Sequence, residues 1–298
     1  MSIPFVRDME VDYEAVKQLT PLVRRLIARN PGPFTFHGTG TYIIGHGQVA
    51  IIDPGPDDEL HINALLNAVR GETVTHILVT HTHCDHSPAA KAIKQSTGAP
   101  TFAFSAHGGE RTAAGVEEGA DFDFQPDQKM SDGDRVSGPN WTLEAVHTPG
   151  HTANHLCFDL NEEATLFSGD HVMGWSTTVI APPDGNMADY LASLYCLLRR
   201  NDRLFRPTHG PAIIDPKPLV SAYIDHRAQR STQVQQHLDN GCNSIDEIVK
   251  SIYADHDPRL HRAAGHSVLA HLIAMIDDGS VRCDDPKPTL ESSFTSVN

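Results

Sequence analysis

Six consecutive residues, His81-Thr82-His83-Cys84-Asp85-His86, concentrate three imidazoles and a carboxylate. They follow the largely apolar run HILVT at 76–80, which suits a buried strand. Residues two apart on a strand point the same way, so His81 and His83 can share a metal ion. Once the chain leaves the strand, Asp85 and His86 can turn toward a second ion. In a chain of this composition the pattern HxHxDH is expected by chance only about 0.007 times.

Three later segments carry the same residue types at turns and strand exits. In His147-Thr148-Pro149-Gly150-His151-Thr152, Gly150 permits a sharp turn that presents His151. Ser168-Gly169-Asp170 ends one apolar run, and Pro207-Thr208-His209-Gly210 ends another. Each alone reads as turn chemistry. Their joint occurrence after the His81 cluster makes them candidate ligands. Such nitrogen and oxygen donors suit Zn²⁺ and tolerate Fe or Mn. Two ions about 3.5–4 Å apart hold a bridging water and lower its pKa toward ~7. The resulting hydroxide attacks a carbonyl or phosphorus, with no Ser or Cys nucleophile required.

The elements that must position these residues are legible in outline. Residues 16–28 form an amphipathic stretch. The runs TYIIG (41–45) and VAIID (49–53) read as a hairpin. A helix is expected from Asp57 to about Val69, and Ser87-Pro88 reads as N-cap and first position of another. Strands follow at 101–105, 141–148, 155–160, 164–170 and 203–209, with an acidic, Gly-rich excursion at 108–134 and a helix at 187–200. Strands in runs interrupted by single helices fit two packed sheets with helices outside. After residue 216 the character changes. Helices are expected at 219–240, after a Ser244/Glu247 capping box, and at 259–278. Gly279-Ser280-Val281-Arg282 reads as a short strand or wing, followed by a loose tail after Asp285. That is a winged-helix-like order. The expected division is 1–216 and 217–298.

Composition narrows the function classes. The chain has 298 residues and a formal charge of −15, which disfavours broad electrostatic capture of nucleic acid. Residues 217–298 hold 8 Lys/Arg against 11 Asp/Glu, so the C-terminal part is not basic either. Arg227, Arg230, Arg259, Arg262 and Arg282 are interspersed with acids, which favours packing or homodimer formation over nucleic-acid reading. Five scattered cysteines without a CxxC pair read as reduced thiols, and the charged N-terminus does not read as a signal peptide. No run is long enough to span a bilayer. A cytoplasmic protein without membrane association is expected.

The motifs IDPG (52–55), THTHCDHS (80–87), HTPGHT (147–152), FSGD (167–170) and PTHG (207–210) together resemble the metallo-β-lactamase superfamily of hydrolases. The resemblance implies an α/β (α+β) fold, a four-layer αββα sandwich carrying a small winged-helix-like appendage. It implies one metal on His81, His83 and His151, a second on Asp85, His86 and His209, and Asp170 bridging both. Asp85 and Asp170 are then the carboxylates nearest the chemistry, with a metal-bridging hydroxide as nucleophile and two Zn²⁺ as the expected cofactors. Asp53 matches the early strand-end Asp that supports ligand histidines. His155 and His171 adjoin ligands and suit hydrogen-bonded support better than coordination. Cys84 is expected to be a packed thiol. His107 is placed on a loop near the cleft, and Trp175 and Tyr190 are read as packing, with a substrate wall as the alternative.

The substrate stays open. The order of elements resembles the lactamase-beta-like, endoribonuclease-related branch, some of whose members cleave single-stranded RNA. An ester, acyl thioester, lactone or phosphodiester is the wider substrate set. An iron persulfide dioxygenase would leave the Asp85, His86 and His209 set unfilled. A non-catalytic metal- or nucleic-acid-binding module is disfavoured by the complete ligand set.

Overall fold

The structure is a computed structural model that describes residues 3–108, 119–254 and 260–297. Part of the 108–134 excursion and Arg259, the first residue of the third expected C-terminal helix, lie outside the described residues. The first sheet holds seven strands in chain order: β1 (Lys17–Gln18), β2 (Val23–Ile27), β3 (Gly40–Ile44), β4 (Gln48–Ile52), β5 (Thr73–Leu78), β6 (Thr101–Ala103) and β7 (Gln128–Lys129). The second holds six, again between sequence neighbours: β8 (Arg135–Gly138), β9 (Trp141–His147), β10 (Leu156–Leu160), β11 (Thr165–Gly169), β12 (Leu204–Pro207) and β13 (Ile213–Ile214).

Period-two patterning builds the layers. Tyr42 and Ile44 of β3 and Ala50 and Ile52 of β4 face Leu143, Leu156, Phe158 and Phe167 of the second sheet. Their alternates, Ile43 and Ile51, pack outward against helices α1 (Glu59–Ala68) and α2 (Ala90–Thr97). On the far side, Val146, Cys157, Leu166 and Phe205 pack under α3 (Met187–Leu198) and α4 (Lys217–Asp239). The result is helix–sheet–sheet–helix. Each fully buried Leu or Phe in it contributes about 1.5–3 kcal/mol.

The C-terminal elements are α5 (Ile245–Ile252), α6 (His261–Asp277), and the paired strands β14 (Val281–Cys283) and β15 (Phe294–Ser296). They close their own core around Val234, Leu238, Ile248, Leu272, Val281 and Phe294. Three helices and a β-wing make this a winged-helix-like unit. Helix α4 belongs to both cores: Leu219, Val220 and Tyr223 lie on the sandwich, while Val234 and Leu238 lie in the C-terminal core.

Three local readings change. The amphipathic stretch 16–28, given no element from sequence, carries β1 and β2, and β2 is buried along its whole length. Its two arginines are accommodated, Arg24 by Glu72 at 2.7 Å and by the carbonyls of Ala68 and Gly45. Ser87 does not cap α2, which starts at Ala90. The Ser87 hydroxyl donates instead to the Asp121 carboxylate at 2.6 Å. The tail after Asp285 returns as β15, anchored by buried Phe294. Ser244 does cap α5, its hydroxyl accepting from the Glu247 amide. Among the described residues no helix is long and apolar enough to cross a membrane.

Candidate metal centre

Strand direction decides where the chemistry collects. Strand β10 is antiparallel to both β9 and β11, and β12 is parallel to β11, so β9, β11 and β12 all run the same way. Strands β4 and β5 are likewise parallel. The segments leaving these C-terminal ends carry Asp53, the 81–86 run, His151, Asp170 and His209, and the sandwich brings them together.

Seven side chains converge in three overlapping groups, His81/His83/His151, His81/His86/Asp170 and Asp85/His86/His209, with the ligand atoms of each group within 4.8 Å of one another. In the first group His83 Nδ1 lies 3.0 Å from His81 Nε2 and 3.3 Å from His151 Nε2. In the last, Asp85 Oδ2 lies 3.1 Å from His209 Nε2 and 3.4 Å from His86 Nε2. Asp170 Oδ2 stands 3.3 Å from His209 Nε2 and 3.5 Å from His86 Nε2. All are buried except His83, which is half-buried.

The remote ring nitrogens show how the imidazoles are set. His86 Nδ1 donates to Asp53 Oδ2 at 2.9 Å. The Thr80 hydroxyl donates to the same carboxylate at 2.8 Å, so its oxygen accepts from His81 Nδ1 at 3.1 Å. His151 Nδ1 donates to the Val179 carbonyl at 2.8 Å, and His209 Nδ1 to the Gly38 carbonyl at 3.2 Å. In all four the outer nitrogen carries a proton held by its partner, so the inner nitrogen is the one left to face a metal, as a lone pair once any second proton is displaced. Asp53 Oδ2 also accepts from Thr208 at 2.8 Å, and Asp53 Oδ1 from the Thr80 amide at 2.8 Å.

Electrostatics divide the cluster in two. Burial, reinforced by His151, pushes His83 down to about 3, and burial with His86 and His83 holds His81 well below the usual imidazole range. These rings are neutral donors. Burial opposes protonation of His209 too, but Asp170 and Asp85 raise it to about 10, and Asp85, Asp170 and Asp53 carry His86 upward. Both carboxylates lie below their usual range against burial, held there by His86 and His209. Two anions thus neutralise two imidazoliums, and a divalent cation can replace those protons. His86 Nε2 and Asp170 Oδ1 are buried without a hydrogen-bond partner. Orphaned inward-facing donors of this kind fit a metal ion.

The neighbours take distinct places. His155 Nε2 accepts from the Asp170 amide at 3.2 Å, and its Nδ1 faces the Thr148 hydroxyl at 2.9 Å. The buried His171 ring has no hydrogen-bond partner at either nitrogen, and burial lowers it to about 3. Its carbonyl accepts from Thr178 and Tyr190. Tyr190 is fully buried, and Trp175 stacks on Phe36 at 4.8 Å. His107 Nδ1 is 3.1 Å from the Thr82 hydroxyl. Cys84 is outside the three groups. Two glycines shape the turns. A Cβ on Gly150 (φ +138°) would lie 2.3 Å from Tyr190 Cα, and one on Gly169 (φ +52°) would lie 2.5 Å from His155 Nε2.

Sequence reasoning missed the threonines and carbonyls that orient the rings. A signal was present: Thr80-His81 and Thr208-His209 each place a threonine before a ligand-type histidine at a strand exit, and both hydroxyls reach Asp53. Val179 and Gly38 act through their carbonyls and leave no mark in residue type.

Residues 35–209 match the family model of the metallo-beta-lactamase superfamily, and residues 244–287 match the beta-lactamase associated winged helix domain. The chain is 32% identical over 278 residues to a beta-lactamase-like protein 2 homolog from Caenorhabditis elegans, spanning 90% of this chain and 88% of that one. It is 31% identical over 252 residues to an atrochrysone carboxyl ACP thioesterase from Aspergillus chevalieri, spanning 80% of this chain and 75% of that one. In fold it is similar to a beta-lactamase domain protein from Burkholderia ambifaria (TM-score 0.79, 20% identity, 97% and 96% of the two chains). It is also similar to a metallo-beta-lactamase family protein from Thermus thermophilus (TM-score 0.74, 21% identity, 94% and 100% of the two chains). Sequence match, sandwich and clustered donors agree: the chain belongs to the metallo-β-lactamase superfamily and is a metal-dependent hydrolase.

Proposed function

We propose that this hydrolase carries two Zn²⁺ ions and cleaves an ester or acyl thioester. The convergence of seven donor side chains with four remote nitrogens already committed carries this reading. His81, His83 and His151 would hold one ion and Asp85, His86 and His209 the other, with Asp170 placed to serve both. When bound, the ion pair lowers the pKa of water toward neutrality and polarises the scissile oxygen. Asp53 keeps the His86 proton on Nδ1. Thr80 does the same for His81. His155 holds the Asp170 backbone, and Thr39 steadies Asp85 Oδ2 through a 3.0 Å hydroxyl contact. In this reading residues 1–216 form the catalytic unit and residues 217–298 the appended one.

Three observations support a small acyl substrate. The chain is strongly acidic, its C-terminal part has no basic excess, and one relative is named as an acyl-carrier-protein thioesterase. Single-stranded RNA, the substrate of the endoribonuclease-related branch, is the second reading, favoured by the winged-helix match. The complete Asp85/His86/His209 cluster argues against a mononuclear dioxygenase. The test is metal analysis together with an ester, thioester and RNA panel. Near two zinc per chain and thioester turnover insensitive to salt are expected. RNA cleavage that falls steeply with salt, without thioester turnover, overturns the acyl reading. Asp170→Ala should lose metal and turnover together.

A further inference from the structure

A cavity of about 580 Å³ lies between the sandwich and the C-terminal helices. One wall comes from the loops around Phe34, Phe36, Trp175 and Val179, and the other from α4 and the start of α6. Its chemistry runs against that of the chain. In a protein of net charge −15, its described lining contains Arg7, Arg227, Arg230, His226 and His261 and no Asp or Glu. Arg227 is built in, while Arg230 beside it is half-buried and donates one N–H to Gln233 Oε1 at 2.9 Å. Arg227 is 3% exposed; its guanidinium donates to the Thr178 carbonyl and lies over the Tyr190 ring, and its Nε has no partner. Arg230 lies 4.4 Å from the Tyr253 ring centre, again with an unpartnered Nε. Trp175 Nε1 and His261 Nε2 are also buried and unpartnered. Opposite them, Trp175 and Phe36 stack at 17° to form a flat apolar wall.

Buried donors without acceptors, beside an aromatic wall and with no carboxylate, call for a ligand with an apolar body and a negative group. The volume suits one small-molecule moiety, in the usual range for such sites, and not an extended polynucleotide. The walls also touch the metal centre. The Val179 carbonyl holds His151, the Thr178 hydroxyl donates to the Asp170 carbonyl, and Gly38, two residues from Phe36, holds His209. We propose that this cleft binds an amphipathic organic anion, an aryl or acyl carboxylate, as the part of the substrate remote from the scissile bond. The assignment of the anion to the substrate rests on the acyl hydrolase reading above.

The probe is 2-naphthoate, titrated against the metal-loaded full chain and followed calorimetrically, with neutral 2-naphthamide as its uncharged counterpart. Arg230→Gln should weaken 2-naphthoate about tenfold and leave 2-naphthamide unchanged, as expected for one charge-assisted contact. Trp175→Leu should weaken both probes. Circular dichroism on each variant confirms folding. His83→Ala, which perturbs the metal centre, should retain 2-naphthoate binding. If His83→Ala abolishes binding while Arg230→Gln and Trp175→Leu do not alter it, the anion sits on the metals and the cleft proposal is overturned. If a single-stranded RNA 12-mer binds more weakly after Arg230→Gln and displaces 2-naphthoate in a steeply salt-dependent way, the cleft serves nucleic acid and the proposal is likewise overturned. If the cleft variants behave as expected but the His83→Ala enzyme keeps its metal and turnover, the metal assignment fails and the cleft stands.

Discussion

Replacing Asp53 with asparagine changes one oxygen to an amino group at the point where four hydrogen bonds meet. Asp53 accepts from the Thr80 amide, the Thr80 and Thr208 hydroxyls and His86 Nδ1, all at 2.8–2.9 Å. The backbone there has φ +49°, which asparagine tolerates, so the substitution isolates the carboxylate from strain. If the new amide nitrogen faces Oδ2's partners, the two hydroxyls can rotate to become acceptors. The imidazole must then move its proton to Nε2, the atom facing Asp85 and Asp170. If the amide flips, its nitrogen meets the Thr80 N–H and leaves a buried donor unpaired, at about 1–3 kcal/mol. The first placement removes the lone pair prepared at the second metal position; the flipped one keeps it and instead destabilises the turn that carries His81. Loss of such an orienting partner typically lowers metal affinity 10–100-fold, about 1.4–2.8 kcal/mol. Chelator competition on wild type and Asp53→Asn reads this directly, with a melting curve to confirm folding. A folded variant whose metal affinity stays within about threefold of wild type would refute the tautomer argument.

Gly150→Ala should destabilise the protein by about 2–4 kcal/mol, from a strained φ plus a Cβ driven into α3, and should weaken metal binding through His151. Urea unfolding and metal titration check both effects. His226 lies among Arg227 and Arg230, and burial followed by those charges lowers it to about 4 from 6.5. Its neutral form is the one the fold accepts, so its contribution is complete above pH 6.5 and is lost as pH falls toward 4. The metal-free protein should therefore unfold at lower urea at pH 5 than at pH 7, and His226→Gln should narrow that gap. Phe294→Ala empties a fully buried site in the wing and should cost about 3–5 kcal/mol, seen as early loss of protection in α5 and β14 by hydrogen exchange.

The sequence showed the ligand-type residues more clearly than the geometry that arms them. HxHxDH and the three later motifs were legible because rare residue types recur at strand exits. The layers were legible because strands come in runs interrupted by single helices, and β3, β4 and β10 are apolar enough to be buried on both faces. Strand β2 was not, since Arg24 and Arg25 stand in its middle, and only the fold supplies Glu72 and two carbonyls for Arg24. Strand β15 was not, because three residues with one buried Phe give no periodicity and its pairing with β14 is set by the C-terminal core. Ser87 has the residue type of a cap, yet Asp121, 34 residues away, takes its hydroxyl. The cationic face of the cleft was hidden for the same reason: Trp175 suggested a wall, but Arg227 and Arg230 read as members of an acid-diluted helix until the fold sets them beside it.

Anomalous diffraction at the zinc edge, on crystals of the protein as purified, tests the central claim most directly. Two peaks about 3.5–4 Å apart are expected. One should be ringed by His81, His83 and His151, the other by Asp85, His86 and His209, with Asp170 between them. No peak within either donor group, or peaks ligated by other residues, would contradict the account.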